Sequence, residues 1–332
     1  MKPHHKRQGI GRELDAFAPE RPSGLGDEAP DGAVAYRYSC PIDYAGHLVN
    51  VRGWRIEGDL TTPAFLLIHD VGEDTRMYRS CAYYLASKGF SCYGYDQRGH
   101  GESTDSMGRI LSFDHLVQDL LQVVAWIKHL HNRVPPVIVG QGYGCLVGSE
   151  MIAKYPDVAS AIVLSAPTVE LATDLSPSRR LLIKLFGEAA PQLRLPKILR
   201  PRFSNPRHRP VEQTIASRIV KSLMSEDDLK ISGGFAWELL TAMERFPTIL
   251  ESITKPTLVV LPEADEVARF ERVISILESH PERHFLERLP IPNLHHNAFT
   301  ESELSMKTVA DAIILWSQRN FARHTMKSEP RL

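Results

Sequence analysis

Long apolar runs are missing from this chain. No segment approaches the roughly 18 consecutive apolar residues of a membrane span, so a membrane protein of the helical kind is excluded from the expectation. The basic start, MKPHHKRQGIGRELDAFAPE, has no apolar stretch behind it and does not read as a secretory signal. Cysteine is scarce: four residues, Cys40, Cys81, Cys92 and Cys145, with no CxxC spacing and three of them inside apolar runs. That pattern argues against a disulfide framework or a structural metal site and suits reduced thiols in a reducing compartment. Charge of one sign is also lacking. A net charge of −1 offers nothing to a bulk polyanion, and no basic patch interleaved with aromatics supports a nucleic-acid partner. The expectation is a cytoplasmic protein that needs no metal and no cofactor.

What is present is ordinary for a globular fold: 332 residues, 43% hydrophobic and 24% charged. Residues 1–32 are rich in Pro, Gly and charge without periodicity and read as a flexible leader, as do 323–332 as a tail. Between them, short runs of the fully buried strand type recur: Ala64 to His69, Phe90 to Asp96, Pro136 to Gly140, Ala161 to Pro167, Pro256 to Leu261 and His284 to Leu289. His47 to Gly58 alternates like an edge strand. Ser112 reads as an N-cap for a helix whose buried face carries Leu116, Val117, Leu120, Leu121, Val124 and Ile127, and Glu301 to about Arg319 reads as a closing helix. Buried strands alternating with amphipathic helices imply right-handed crossovers and a mostly parallel sheet covered on both faces.

The alternation stops at 168–247, where helical segments appear without a convincing strand. This reads as a helical cap inserted over the carboxyl edge of the sheet, with a core made of 33–167 and 248–322. Within it, Arg179 to Lys221 holds eleven Lys and Arg against two Glu. RRLLIKLF, Arg179 to Phe186, mixes those bases with apolar side chains, which fits either solvated helices or a surface meeting anionic lipid.

Five stretches in order carry a resemblance: HDVGE (His69 to Glu73), YDQRGHGES (Tyr95 to Ser103), GQGYGC (Gly140 to Cys145), PEAD (Pro262 to Asp265) and NLHHNAFTE (Asn293 to Glu301). From about Tyr36 to Ser317 the chain resembles the α/β-hydrolase group of monoglyceride lipases, lysophospholipases and serine aminopeptidases. The resemblance implies an α/β-hydrolase fold with a serine nucleophile on the strand-to-helix turn, an acid at Asp265, a base at His296, and oxyanion-hole amides at Val71 and Tyr143. This chain departs from the pattern at the decisive place: Gly142 stands where the serine is expected. Asp70, Cys145 and Pro262 replace three residues that are usually glycine around the same pocket, and four departures at one site do not look like a single engineered knockout.

Substitute nucleophiles are not favoured: Cys145, inside the helix that follows, is expected to face packing, the resemblance implies that Tyr143 points away from the base, Ser149 lies a turn further into the helix, and Ser165 ends a neighbouring strand. His69, Arg98, His100 and His295 read as loop architecture. His296 and Asp265 admit two readings, a retained base with its orienting acid or a structural hydrogen bond. Two functions therefore stay open. One is a pseudoenzyme or very weak hydrolase that binds a small lipophilic or acyl ligand under the basic cap. The other is a hydrolase or lyase without an acyl-enzyme, in which His296 acts on water or substrate and a water fills the volume left by the missing side chain. The first is preferred.

Overall fold

The computed structural model describes residues 31–41, 47–58, 61–103, 108–110, 112–201, 231–279 and 285–327. The expected leader falls outside these residues except for 31 and 32. Arg202, Arg207, Arg209, Arg218 and Lys221 of the basic segment fall outside them too.

Eight strands form one sheet: β1 (Ala33–Pro41), β2 (Leu48–Ile56), β3 (Phe65–Ile68), β4 (Cys92–Tyr95), β5 (Val137–Gln141), β6 (Ala161–Ser165), β8 (Thr257–Pro262) and β10 (Leu286–Ile291). Their order is β1-β2-β4-β3-β5-β6-β8-β10. From β4 onward every pairing is parallel, while β1 and β2 run antiparallel at one edge. Strands β3, β4, β5, β6 and β8 are buried along their whole length, which is why they read as continuous apolar runs rather than alternating ones. The segment expected to be an edge strand, His47 to Gly58, contributes β2, which lies second; β1 covers its outer side. Polar residues such as Arg37 and Ser39 interrupt β1, so its apolar signal is weak.

Helices α1 (Arg79–Ser87), α2 (Phe113–Leu130), α3 (Tyr143–Lys154), α6 (Glu271–Ser279) and α7 (Glu303–Lys327) accompany the sheet. Ser112 caps α2, accepting from the Asp114 amide, and Leu116, Val117, Leu120, Val124 and Ile127 are buried with Leu121 half-buried. The closing helix α7 runs to Lys327, past Arg323 where the tail was expected to begin. No Pro or Gly lies between 320 and 327 to stop it.

The segment 168–247 contributes α4 (Pro177–Ala189) and most of α5 (Gly233–Ser252). Among its described residues is also a short strand, β7 (Glu170–Leu171), paired antiparallel with β9 (Ala268–Arg269), where no convincing strand was expected. Two residues are too few to leave a periodic trace. The expected boundary at 247 falls inside α5, which accommodates Pro247 and continues to Ser252. Phe235 and Phe246 of α5 are fully buried, so this helix joins the cap segment to the core.

The motif YDQRGHGES is a structural lock. The Asp96 carboxylate accepts from the Thr75 amide at 2.8 Å, the Asn50 side chain at 2.9 Å and the Glu102 amide at 2.9 Å. Arg98 makes a two-point pair with Asp119 on α2, at 3.0 and 2.9 Å, both buried. These contacts tie the end of β4 to β2, to the loop after β3 and to α2.

Candidate active site

The carboxyl ends of β3, β5, β8 and β10 converge on one place. Strand β5 ends at Gln141, and α3 starts at Tyr143 with Gly142 between them at φ 53° and ψ −116°. That backbone conformation is open to glycine and strained for any other residue. Gly144 permits the second half of the turn: a Cβ there would lie 2.4 Å from the Ile68 carbonyl oxygen of β3. The sharp strand-to-helix turn expected from GQGYG is therefore built.

The space in front of Gly142 is occupied. A Cβ on Gly142 would lie 2.3 Å from the Asp70 Cγ and 2.3 and 2.5 Å from its two carboxylate oxygens. No atom pair of this kind tolerates such an approach. The expectation that the missing side chain leaves room for a water is thus corrected: the Asp70 carboxylate fills that volume.

Asp70 is also hydrogen-bonded as a serine-bearing site would not allow. Its Oδ1 accepts from the Tyr143 amide at 2.8 Å, and its Oδ2 lies 3.1 Å from His296 Nε2. On the other side of the ring, His296 Nδ1 lies 2.7 Å from Asp265 Oδ2. Asp265 is oriented in turn by the Val267 and Ala268 amides, at 2.7 and 3.0 Å to its Oδ1. Gln141 donates to the His296 carbonyl at 2.7 Å. The imidazole is thus held between two carboxylates, with both ring nitrogens engaged. Burial alone would lower its pKa; the hydrogen bonds to Asp265 and Asp70, together with their charges, outweigh burial and push it up to about 10. His296 is an imidazolium at neutral pH.

Behind Asp70 stands a group whose role the motifs did not reveal. Glu73 accepts from the Asp70 amide at 3.1 Å and from Tyr78 and Asn297 through their side chains. Burial first, and then the charge of Asp70, raise the Glu73 pKa to about 7 against the lowering effect of those hydrogen bonds. Glu73 stands three residues after Asp70, and Asn297 follows His296 directly. Both lie inside stretches that carry the resemblance, HDVGE and NLHHNAFTE, which gave neither of them a role.

The remaining expected residues fall as follows. Val71 is buried directly after Asp70. Pro262 ends β8 opposite Ile291 of β10, three residues before Asp265. Cys145 turns its thiol to the Gly140 and Ser165 carbonyls, and burial, then the charge of Asp70, hold its pKa well above the usual thiol value. Tyr143 packs its ring on Phe113, His100 and Phe235. Ser149 and Ser165 are fully buried. None of these side chains is hydrogen-bonded to His296.

His69 and His100 are buried histidines held neutral, the second with its pKa lowered to about 3 by burial and by its neighbour His69. His295 bonds the Ala264 carbonyl and, through its amide, Glu301. Among the described residues there is no group of three or more His, Cys, Asp or Glu that could hold a metal, and no helix long and apolar enough to cross a membrane.

An open sheet with a sharp strand-turn-helix after β5, followed in chain order by an acid after β8 and a histidine after β10, defines the α/β-hydrolase fold. A solved structure of a soluble variant of monoglyceride lipase from Saccharomyces cerevisiae, in complex with a substrate analogue, has this fold. It matches with a TM-score of 0.68 at 16% identity, covering 91% of this chain and 99% of that one. The profile of the serine aminopeptidase S33 family matches residues 61–303, and the chain belongs to that family. It is 26% identical over 289 residues to a monoacylglycerol lipase of Mycolicibacterium smegmatis, spanning 80% of this chain and 94% of that protein. It is also 26% identical over 258 residues to the monoglyceride lipase of Rattus norvegicus, spanning 73% and 80%.

Proposed function

We propose that this member of the family has left serine-type ester hydrolysis and retains a binding role, holding a small lipophilic or acyl ligand under its basic cap. In this reading Gly142 stands at the nucleophile position, Asp265 and His296 at those of acid and base, and hydrolytic turnover of esters is absent or very weak. The observation that carries it is the position of Asp70. Its carboxylate takes the volume of the serine side chain, the Tyr143 amide that an oxyanion would need, and the His296 nitrogen that would receive the serine proton. Loss of a triad nucleophile alone lowers kcat by about 10⁶. A carboxylate in the oxyanion hole adds repulsion to the charge that develops there.

The second reading, His296 as general base on water or substrate, is opposed by the same geometry. Its Nε2 faces Asp70, and an imidazolium with a pKa near 10 has no lone pair to accept a proton at neutral pH.

The cap supports a lipophilic ligand or surface. Leu181, Leu182 and Leu185 of α4 are exposed at 55, 51 and 52%, with Leu193 at 61% and Ile198 at 82% just beyond. Arg179, Arg180, Lys184 and Arg194 stand among them. An exposed apolar group set in bases suits peripheral contact with anionic lipid.

Incubating the purified chain with monoacylglycerols and short acyl esters, alongside a fluorophosphonate probe, tests the reading. No turnover and no label are expected. Ordinary esterase rates that disappear in His296→Ala overturn it.

A further inference from the structure

We propose that the Asp70 carboxylate is itself a nucleophile, directed at the strained saturated carbon of an epoxide on a lipophilic chain, and that water resolves the resulting ester through His296. This rests on the reading that Asp70 has taken the serine's place.

The choice of electrophile follows from leaving-group chemistry. A carboxylate that attacks an ester carbonyl gives an intermediate that expels the carboxylate again, because its conjugate acid has a pKa of about 3.9 while an alkoxide is about as basic as hydroxide, near 15.7. Attack at a saturated carbon has no such return path and forms an ester. The neighbouring groups are those an ester at Asp70 would need. Asp70 Oδ1 already receives the Tyr143 N–H, so the oxygen that becomes negative during ester hydrolysis is hydrogen-bonded in advance. His296 adjoins Oδ2 and is oriented from behind by Asp265.

Proton bookkeeping selects the epoxide. In the first step Oδ2 forms a bond to an epoxide carbon, the ring C–O bond breaks, and the alkoxide takes the Nε2 proton of His296. The products are a hydroxyalkyl ester of Asp70 and a neutral imidazole. A halide would leave without that proton, and His296 would remain an acid unable to activate water. Esterification also removes one of the two carboxylate charges that hold the ring protonated, so the neutral imidazole persists beside Asp265. In the second step His296 takes a proton from water, whose oxygen bonds to Asp70 Cγ while charge moves onto Oδ1. The bond from Cγ to the alkyl oxygen then breaks, the diol leaves with a proton from His296, and the carboxylic acid returns a proton to the imidazole. The sum is epoxide plus water to diol, with Asp70 and His296 restored.

The full-length chain is incubated with a terminal long-chain epoxide, epoxydodecane, in ordinary and in heavy-oxygen water. Diol formation is expected. In a single turnover the heavy oxygen should enter the Asp70 carboxyl, read by peptide mass spectrometry, and be absent from the diol. His296→Gln lacks both the acid of the first step and the base of the second and should give neither diol nor adduct, and Asp70→Asn should likewise give neither. No diol and no adduct with the unmodified chain, heavy oxygen in the first-turnover diol, or an adduct on another residue overturns the proposal. If His296→Gln fails to fold, the single-turnover label decides. Ester turnover is measured on the same preparations: esterase activity defeats the proposed function, whereas inert esters with inert epoxide defeat this inference alone.

Discussion

A serine placed at position 142 is not expected to be accommodated unless Asp70 is removed with it. In Gly142→Ser the new Cβ would sit 2.3 Å from the Asp70 Cγ, so the carboxylate must shift by about 1 Å or more. Overpacking of this kind costs about 1–3 kcal/mol. Holding a side chain at φ 53° and ψ −116° adds about 1–3 kcal/mol. The single substitution should therefore lower stability by about 2–6 kcal/mol, measured by urea unfolding at pH 7. In Asp70→Gly/Gly142→Ser the clash is gone and only the backbone strain and the lost Asp70 hydrogen bonds remain. The four proteins form a double-mutant cycle in which the clash appears as a coupling of about 1–3 kcal/mol favouring the pair. The double variant also frees the Tyr143 amide and His296 Nε2, and it alone should gain labelling by a fluorophosphonate probe. Additive stabilities, or a singly substituted Gly142→Ser that labels as well as the double variant, would refute the account of Asp70 and Gly142 as occupants of one volume.

Two pH effects follow from the same cluster. His296 is raised in the folded chain to about 10, above its unfolded value near 6.5, so its contribution to stability is complete below about pH 6.5 and is lost as pH rises through 10. Asp70→Asn removes one carboxylate and should flatten that decline in urea midpoints while lowering the imidazole pKa seen by NMR; an unchanged slope argues against the Asp70 contact. Glu73 is raised to about 7, so the folded chain keeps a proton that the unfolded chain has released, and stability falls between about pH 4.5 and 7. Glu73→Gln should remove that slope and leave the variant more stable than its parent above pH 7, a gain that chemical denaturation at pH 5 and pH 8 would reveal or exclude.

Much of the architecture was written in local patterns. Strands buried on both faces require unbroken apolar runs, and those at Phe65–Ile68, Val137–Gln141 and Thr257–Pro262 stood out for that reason. The Ser112 cap and the apolar face of α2 were equally plain. Elements with weak local signals escaped: β1, whose polar residues hide it, the two-residue β7, and the passage of α5 through Pro247. Two expected boundaries also fall inside helices: α5 passes through Pro247 to Ser252, and α7 runs past Arg323 to Lys327.

The sequence alone determined which residues meet at the end of the sheet. It did so through the resemblance to the α/β-hydrolase group, whose motifs in chain order imply that Gly142, Tyr143, Asp265 and His296 come together. It also determined that Gly142 brings no nucleophile of its own. Only the tertiary structure decided what takes that place. Asp70 read as one of three departures from glycine around the pocket; in space its carboxylate fills the volume in front of Gly142, bonded to Tyr143 and His296. Packing is the reason. Two turns far apart in the chain share one small volume, and no periodicity or motif records which side chain enters it.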